Sequence, residues 1–196
     1  PLTMRLVLTP QILPDADSYN VIADLPGTDK ADEVVIVSGH LDSWDLATGA
    51  HDDAAGVASA MAVFDTLKKL DYRPRRTIEL IGDAAEEVGL RGSQDIARDF
   101  KKNNVDVVGV LQLDMTNYKG TATDIYLFTD YTNSQQNEFL AQLIGAYLPG
   151  TTIGYDKCGY GCSDHASWDA QGYPTSMPFE SSFARDNPYI HSAKDT

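Results

Sequence analysis

The sequence predicts an α/β fold. Apolar runs of strand length alternate with segments of helical periodicity, and an alanine-rich stretch from Asp53 to Leu70 repeats its apolar residues at helical spacing. One run, VVGVLQLD (107–114), is almost free of polar interruption, as expected of a strand covered on both faces.

In chain order, MRLVL from Met4, YNVIADL from Tyr19 and EVVIVSG from Glu33 read as strands, with LPGTDKAD as the turn between the second and third. The 53–70 segment reads as a helix that places Lys68 and Lys69 near its C-terminal end, where cations suit the helix dipole. RTIELIG (76–82) is the next strand, SQDIARDFKK (93–102) the next helix, and the apolar run 107–114 a strand. DIYLFTD (124–130) is strand-like, and NEFLAQLIGAYL (137–148) is an amphipathic helix ending near Pro149. The stretch after Gly150 is rich in Gly, Pro, Ser and Tyr, and such loops commonly carry specificity.

With 196 residues and 42% hydrophobic content, the chain can bury one sizeable core, so a single domain over residues 1–196 is expected. Its formal charge of −14 repels phosphate backbones and anionic lipid, which argues against nucleic acid and membrane partners. No apolar run is long enough to span a bilayer, and PLTMRLVLTP lacks the apolar core of a signal peptide. A secreted or periplasmic protein would therefore be present here in its mature or trimmed form. Cys158 and Cys162 flank a glycine-rich turn in CGYGC, which suits a small disulfide loop and an oxidising compartment; reduced thiols or metal ligation are the alternatives.

The polar residues that follow the apolar runs carry the chemistry. Gly39-His40-Leu41-Asp42 follows VVIVS, Ala85-Glu86-Glu87 follows TIELIG, and Asp114 follows VVGVLQ. In an open α/β sheet the carboxyl ends of the strands share one edge, where ligands bind, so these clusters are expected to meet. His51-Asp52-Asp53 opens the alanine-rich helix, where an aspartate also serves as an N-cap, and His191 lies in the late loops. Imidazoles with carboxylates suit zinc, and this number of ligands suits two ions.

GHLDS (39–43), GAHDDAAG (49–56), AAEEVGLRGS (84–93), LQLDMTNY (111–118), CGYGCSDHASW (158–168) and IHSAKDT (190–196) resemble, in order, the motifs of the co-catalytic two-zinc aminopeptidases. The segment from 38 to 56 is closer to the plasma glutamate carboxypeptidase branch, and everything from 84 onward is closer to secreted bacterial leucyl aminopeptidases. The resemblance implies a three-layer αβα sandwich with a mixed, mainly parallel central sheet, the zinc-peptidase (phosphorylase/hydrolase-like) fold. It implies that His40, Asp52 and Asp114 hold one zinc and that Asp52, Glu87 and His191 hold the other. Glu86 would act as general base towards the metal-bound water, and Asp42 would accept the second ring N–H of His40. A cis peptide after Asp52 and a structural place for His165 are also implied, whereas His51 departs from the family's usual Asn or Asp.

The implied activity is removal of a leucine-like or aromatic residue from a peptide with a free N-terminus. Its side-chain pocket would comprise Met115, Phe128, Met177, Phe179, Phe183 and Ile190 with Cys158, Tyr160 and Cys162, and Tyr160 would donate to the developing oxyanion. Asp186 falls at the pocket rim, where a carboxylate favours a basic side chain or holds a free α-amine. The alternatives are a carboxypeptidase or dipeptidase, with Arg185, Lys157 or Lys194 gripping the substrate carboxylate, and a non-catalytic metal-binding scaffold. The chain is shorter than the family's catalytic domain, which suggests a truncated or chimeric form, either monomeric or weakly homo-oligomeric through exposed sheet surface.

Overall fold

The computed structural model describes residues 17–196. The expected strand from Met4 lies outside the described residues. Beyond it, the chain runs β1 (Val21–Leu25), β2 (Lys30–His40), α1 (Ala54–Lys69), β3 (Arg76–Asp83), α2 (Arg91–Lys102), β4 (Asp106–Gln112), β5 (Ile125–Phe128), α3 (Ser134–Tyr147), β6 (Ile153–Asp156), α4 (His165–Asp169), β7 (Thr175–Ser176) and β8 (Pro178–Phe179).

The main sheet has the order β1-β3-β2-β4-β7, with β2 parallel to both β3 and β4, β7 parallel to β4, and β1 antiparallel on the edge beside β3. It is therefore mixed and mainly parallel, as expected. Strand β2 starts three residues earlier than its apolar run suggests, because Lys30 and Glu33 form an ion pair of 2.6 Å and Lys30 pairs with Arg76 in the ladder. The expected turn LPGTDKAD accordingly shrinks to the residues between Leu25 and Lys30.

Side chains alternate across the sheet, and each face has its own helical layer. One face carries Val34 and Ile36, which pack with Ile81, Val107, Ile96 and Ala97 of α2 and Trp168 of α4. The buried Trp168 ring meets Phe100 edge-on at 5.4 Å. The opposite face carries Val35, Val37 and Gly39; there Phe139 and Leu140 of α3 line a groove with Val35 and Val37, while Val57 and Met61 of α1 lie beside Gly39. Three αβα layers result.

A second sheet of three short strands, β6-β5-β8, sits beside the main one. It takes up the strand-like segment 124–130, of which only Ile125–Phe128 is extended in pairing. Strand β8 pairs antiparallel with β5, which brings Phe179 opposite Tyr126 and starts the apolar wall described below.

The structure brings the carboxyl ends of β2, β3 and β4 together. His40 is the last residue of β2, β3 ends three residues before Glu86, and β4 ends two residues before Asp114. Two glycines allow that approach. A Cβ on Gly39 would lie 2.8 Å from the Asp53 carboxylate and 2.9 Å from the Leu113 carbonyl, and one on Gly56 would collide with the same two groups.

Candidate active site

Asp52 stands at the centre of the site. One of its carboxylate oxygens lies 3.0 Å from His40 Nε2 and the other 3.0 Å from His191 Nε2. His191 Nε2 is also 3.2 Å from Glu87, and His40 Nε2 is 3.8 Å from Asp114. Ligand atoms converge within 4.8 Å of one another in three groups: His40 with Asp52 and Asp114, Asp52 with Glu87 and His191, and His40 with Glu86 and Glu87. The first two groups are the sets named from the sequence, sharing Asp52. The third places Glu86 within reach of the same cluster.

The local folding that aims these groups is specific. The Asp52–Asp53 peptide is cis. Asp53 caps α1 by accepting the Gly56 N–H at 3.0 Å, and its carboxylate also accepts the N–H of His40 at 3.2 Å and of Met115 at 3.1 Å. One buried side chain thus ties together the helix start, the end of β2 and the turn after Asp114. Ala85, Met115 and His191 each adopt the left-handed conformation with φ of 57°. Non-glycine residues adopt it at a cost, and these three positions flank or supply Glu86, Asp114 and the late imidazole.

Asp42 departs from its expected role. The carboxylate does not take the second ring N–H of His40; the main-chain carbonyl of Asp42 does, at 3.0 Å from Nδ1, while the carboxylate oxygen stands off at 3.7 Å. The carboxylate is occupied by the backbone N–H groups of Glu86 at 2.9 Å and Glu87 at 3.1 Å. Two convergent amide donors hold it more firmly than one imidazole can, and it thereby orients the glutamate pair.

The electrostatics demand a cation. A carbonyl only accepts, so Nδ1 of His40 carries the proton and Nε2 faces the Asp52 carboxylate with its lone pair unless a proton or a metal ion intervenes. Burial works against a charged His40, but Asp114, Asp42 and Asp52 outweigh it and hold the imidazole protonated far above its ordinary range. Burial raises Asp114 as well, yet His40 keeps it below the usual carboxylate range. Burial, reinforced by Asp114, pushes Glu86 up to about 9, and burial with Asp52 pushes Glu87 up to about 7. Glu87 Oε1 and Asp114 Oδ1 are buried without a hydrogen-bond partner. Oxygen-rich ligands, two imidazoles and unsatisfied buried carboxylate atoms fit divalent metal ions.

Beside the cluster opens a cavity of 340 Å³, lined by Asp52, Glu86, Glu87, Asp114 and His191 on the polar side. All six expected pocket residues, Met115, Phe128, Met177, Phe179, Phe183 and Ile190, line it, together with Cys158, Tyr160 and Cys162. Met115, Phe128, Met177 and Phe179 are buried in one cluster, with the Phe128 and Phe179 rings 4.7 Å apart. Cys158 and Cys162 form the expected disulfide, and Asp130 holds the loop between them by accepting the N–H of Cys158 and Gly159. Tyr160 projects from that loop into the cavity, exposed and edge-on to Phe183 at 6.1 Å. Burial, Glu86 and Asp186 raise its phenol above the ordinary tyrosine range.

Several contributors escaped the sequence reading. Trp44 lines the cavity and stacks on the His191 ring at 4.9 Å; its only sequence signal was an aromatic in the loop after GHLDS. Asp195 accepts the N–H of His51 at 2.8 Å and of Asp52 at 3.2 Å. The anomalous His51 turns away from the cluster to Glu180, 2.5 Å away, whose carboxylate also accepts the N–H of Asn117 and Tyr118. His165 is fully buried and belongs to none of the ligand groups found among the described residues, and burial pushes its imidazole down to about 4.

Comparison with known proteins agrees with this arrangement. The family model described as Peptidase family M28 matches residues 20–196. Leucine aminopeptidase 1 of Uncinocarpus reesii is 35% identical over 195 residues, which cover 91% of this chain and 49% of the relative. The LapB structure from Legionella pneumophila superposes with a TM-score of 0.85 at 36% identity, covering 90% of this chain and 49% of that one. The LapA aminopeptidase of the same organism gives 0.81 at 37% identity, covering 90% and 48%. The chain thus spans about half the length of the relatives it matches. From the match over residues 20–196, and with its motifs gathered at the sheet edge in the expected order, the chain belongs to peptidase family M28.

Proposed function

We propose that the chain carries the catalytic centre of a zinc aminopeptidase that removes apolar N-terminal residues from peptides. The observation that carries this reading is the cavity lining: an apolar wall beside a cluster of carboxylates, with no lysine or arginine of the described residues among its lining. A carboxypeptidase needs a cation for the substrate's terminal carboxylate, whereas a free α-ammonium group is welcome among carboxylates. Lys157, Arg185 and Lys194 are absent from the lining. The names of the similar leucine aminopeptidase and of the LapA aminopeptidase support the same polarity.

His40, Asp52 and Asp114 would hold one zinc ion, and Asp52, Glu87 and His191 a second, with Asp52 shared. When bound, zinc would polarise the scissile carbonyl and acidify the attacking water. Glu86 takes the proton and passes it to the leaving amine; its carboxylate lies within reach of His40 and Glu87 in the same cluster and lines the cavity, where both the water and the amine can be met. Tyr160 donates its phenol to the developing oxyanion from the cavity wall. A leucine-like side chain gains from leaving water for the Met115, Phe128, Met177 and Phe179 cluster, by about 2 kcal/mol. The disulfide supports a secreted or periplasmic setting.

The test is product analysis on the tripeptide Leu-Gly-Phe with zinc-loaded protein. Early free leucine is expected. Early free phenylalanine would establish carboxypeptidase polarity and overturn the reading.

A further inference from the structure

Among the described residues, Asp186 is the one carboxylate in the cavity lining that belongs to none of the candidate ligand groups. Bound metal would offset Asp52, Glu87 and Asp114, and Glu86 has the proton transfer to perform. Asp186 is left free to meet a cationic part of the substrate. Its side chain is half-buried, with no ion-pair partner among the described residues, and the nearby charges acting on it are Glu180 and Asp52, which oppose its ionisation, and His191, which favours it. Burial, with the Glu180 and Asp52 charges, raises its pKa above the ordinary carboxylate value.

The position of Asp186 gives that charge a use. It follows directly on the short 3-10 turn Phe183–Arg185, so the same loop presents the Phe183 ring and a carboxylate to one cavity. Ile190 supplies a further apolar surface from the same stretch of chain. A linear aliphatic stem can lie against Phe183 and Ile190 while a terminal cation reaches the rim, which is how lysine and arginine side chains ordinarily divide apolar stem from charged head. An unpaired, partly desolvated carboxylate gains most from such a partner.

We propose that Asp186 is a specificity residue that extends the substrate range to peptides beginning with lysine or arginine, by pairing with the cationic end of the first side chain. The proposal rests on the aminopeptidase reading above. It deepens that reading by giving the apolar pocket a charged rim, so that long cationic side chains compete with leucine-like ones.

The test compares p-nitroanilides of lysine and norleucine, which share an unbranched stem and differ in the terminal ammonium. The readout is the ratio of their kcat/KM values in the zinc-loaded wild type, Asp186→Asn, Asp186→Glu and Asp186→Lys. The lysine-to-norleucine ratio should fall about tenfold in Asp186→Asn, fall further in Asp186→Lys, and largely survive in Asp186→Glu. In the wild type the ratio should also decline as salt screens the pair. An equal ratio in wild type and Asp186→Asn, or a parallel loss of both substrates at constant ratio, would overturn the proposal and leave the aminopeptidase reading standing. Failure of the wild type to release either amino acid would overturn both.

Discussion

The backbone N–H of Asp52 donates to the carboxylate of Asp195 at 3.2 Å, across 143 residues of chain. The same carboxylate accepts the N–H of His51 at 2.8 Å, and Asp195 is fully buried. The loop that supplies the shared carboxylate is therefore held by the segment that follows His191. Anchoring the ends of both ligand groups through one side chain couples their geometry.

Replacing Asp195 by alanine leaves two backbone donors without their charged acceptor. The expected cost is about 2 kcal/mol of stability, with zinc affinity weakened about tenfold or more by the misdirected Asp52. Urea denaturation and chelator competition measure the two effects separately. Unchanged metal affinity would show that Asp52 is aimed by the rest of its loop.

Much of this architecture was legible in the sequence. The 53–70 helix is observed as Ala54–Lys69 with caps at Asp53 and Leu70, because alanine-rich periodicity and a carboxylate N-cap act locally. The strand ends could be placed because each apolar run stops at a polar cluster. The short strands β6, β7 and β8 could not, since two to four residues are too few to show a period and owe their pairing to tertiary contacts. At the site, the polar clusters at the strand ends were readable from residue order, whereas the division of ligands and the apolar wall came from the family resemblance. The carboxylates that grip backbone amides, Asp42, Asp195 and Glu180, were misread or missed. Such a bond depends on where a distant main chain passes, which neither spacing nor side-chain chemistry reveals.

Asp42 offers a test of its corrected role. Because its carboxylate holds the N–H of Glu86 and Glu87 while its carbonyl faces the His40 ring, Asp42→Ala should leave the ring's partner in place and loosen the glutamate turn. Turnover is expected to drop about tenfold or more with zinc content retained. Loss of zinc by elemental analysis, in place of loss of turnover, would return the carboxylate to the His40 ring.

Glu86 and Glu87 are adjacent, yet their replacements should separate. Glu86→Gln should retain zinc and lose turnover by about 100-fold or more, as removal of a general base does. Glu87→Gln should weaken zinc binding, since Glu87 reaches Asp52 and His191 in one ligand group. Parallel metal analysis and initial rates on a leucine substrate check the division; equal zinc loss in both variants would remove it.

A pH-dependent prediction concerns Glu79, away from the site. Glu79 sits directly opposite Asp24 in the β1–β3 ladder, and one of its carboxylate oxygens is buried without a partner. Burial and Asp24 push its pKa from 4.5 up to about 7. A carboxyl raised in the folded state is tolerated while protonated and costs stability as pH rises from its ordinary value through the folded one. Glu79→Gln should thus stabilise the protein by about 1 kcal/mol at pH 8, after allowance for its partial exposure, and by little at pH 5. Urea denaturation at both pH values decides; an equal gain at both would show that ionisation is not the cause.

The central claim is that two ligand groups share Asp52, so the most direct measurement is the zinc content of the purified chain before and after Asp52→Ala. The account predicts two zinc ions per chain in the wild type, one for each group, and loss of both in the variant, because each group loses a ligand. A single ion in the wild type, or full zinc retention in the variant, would contradict it.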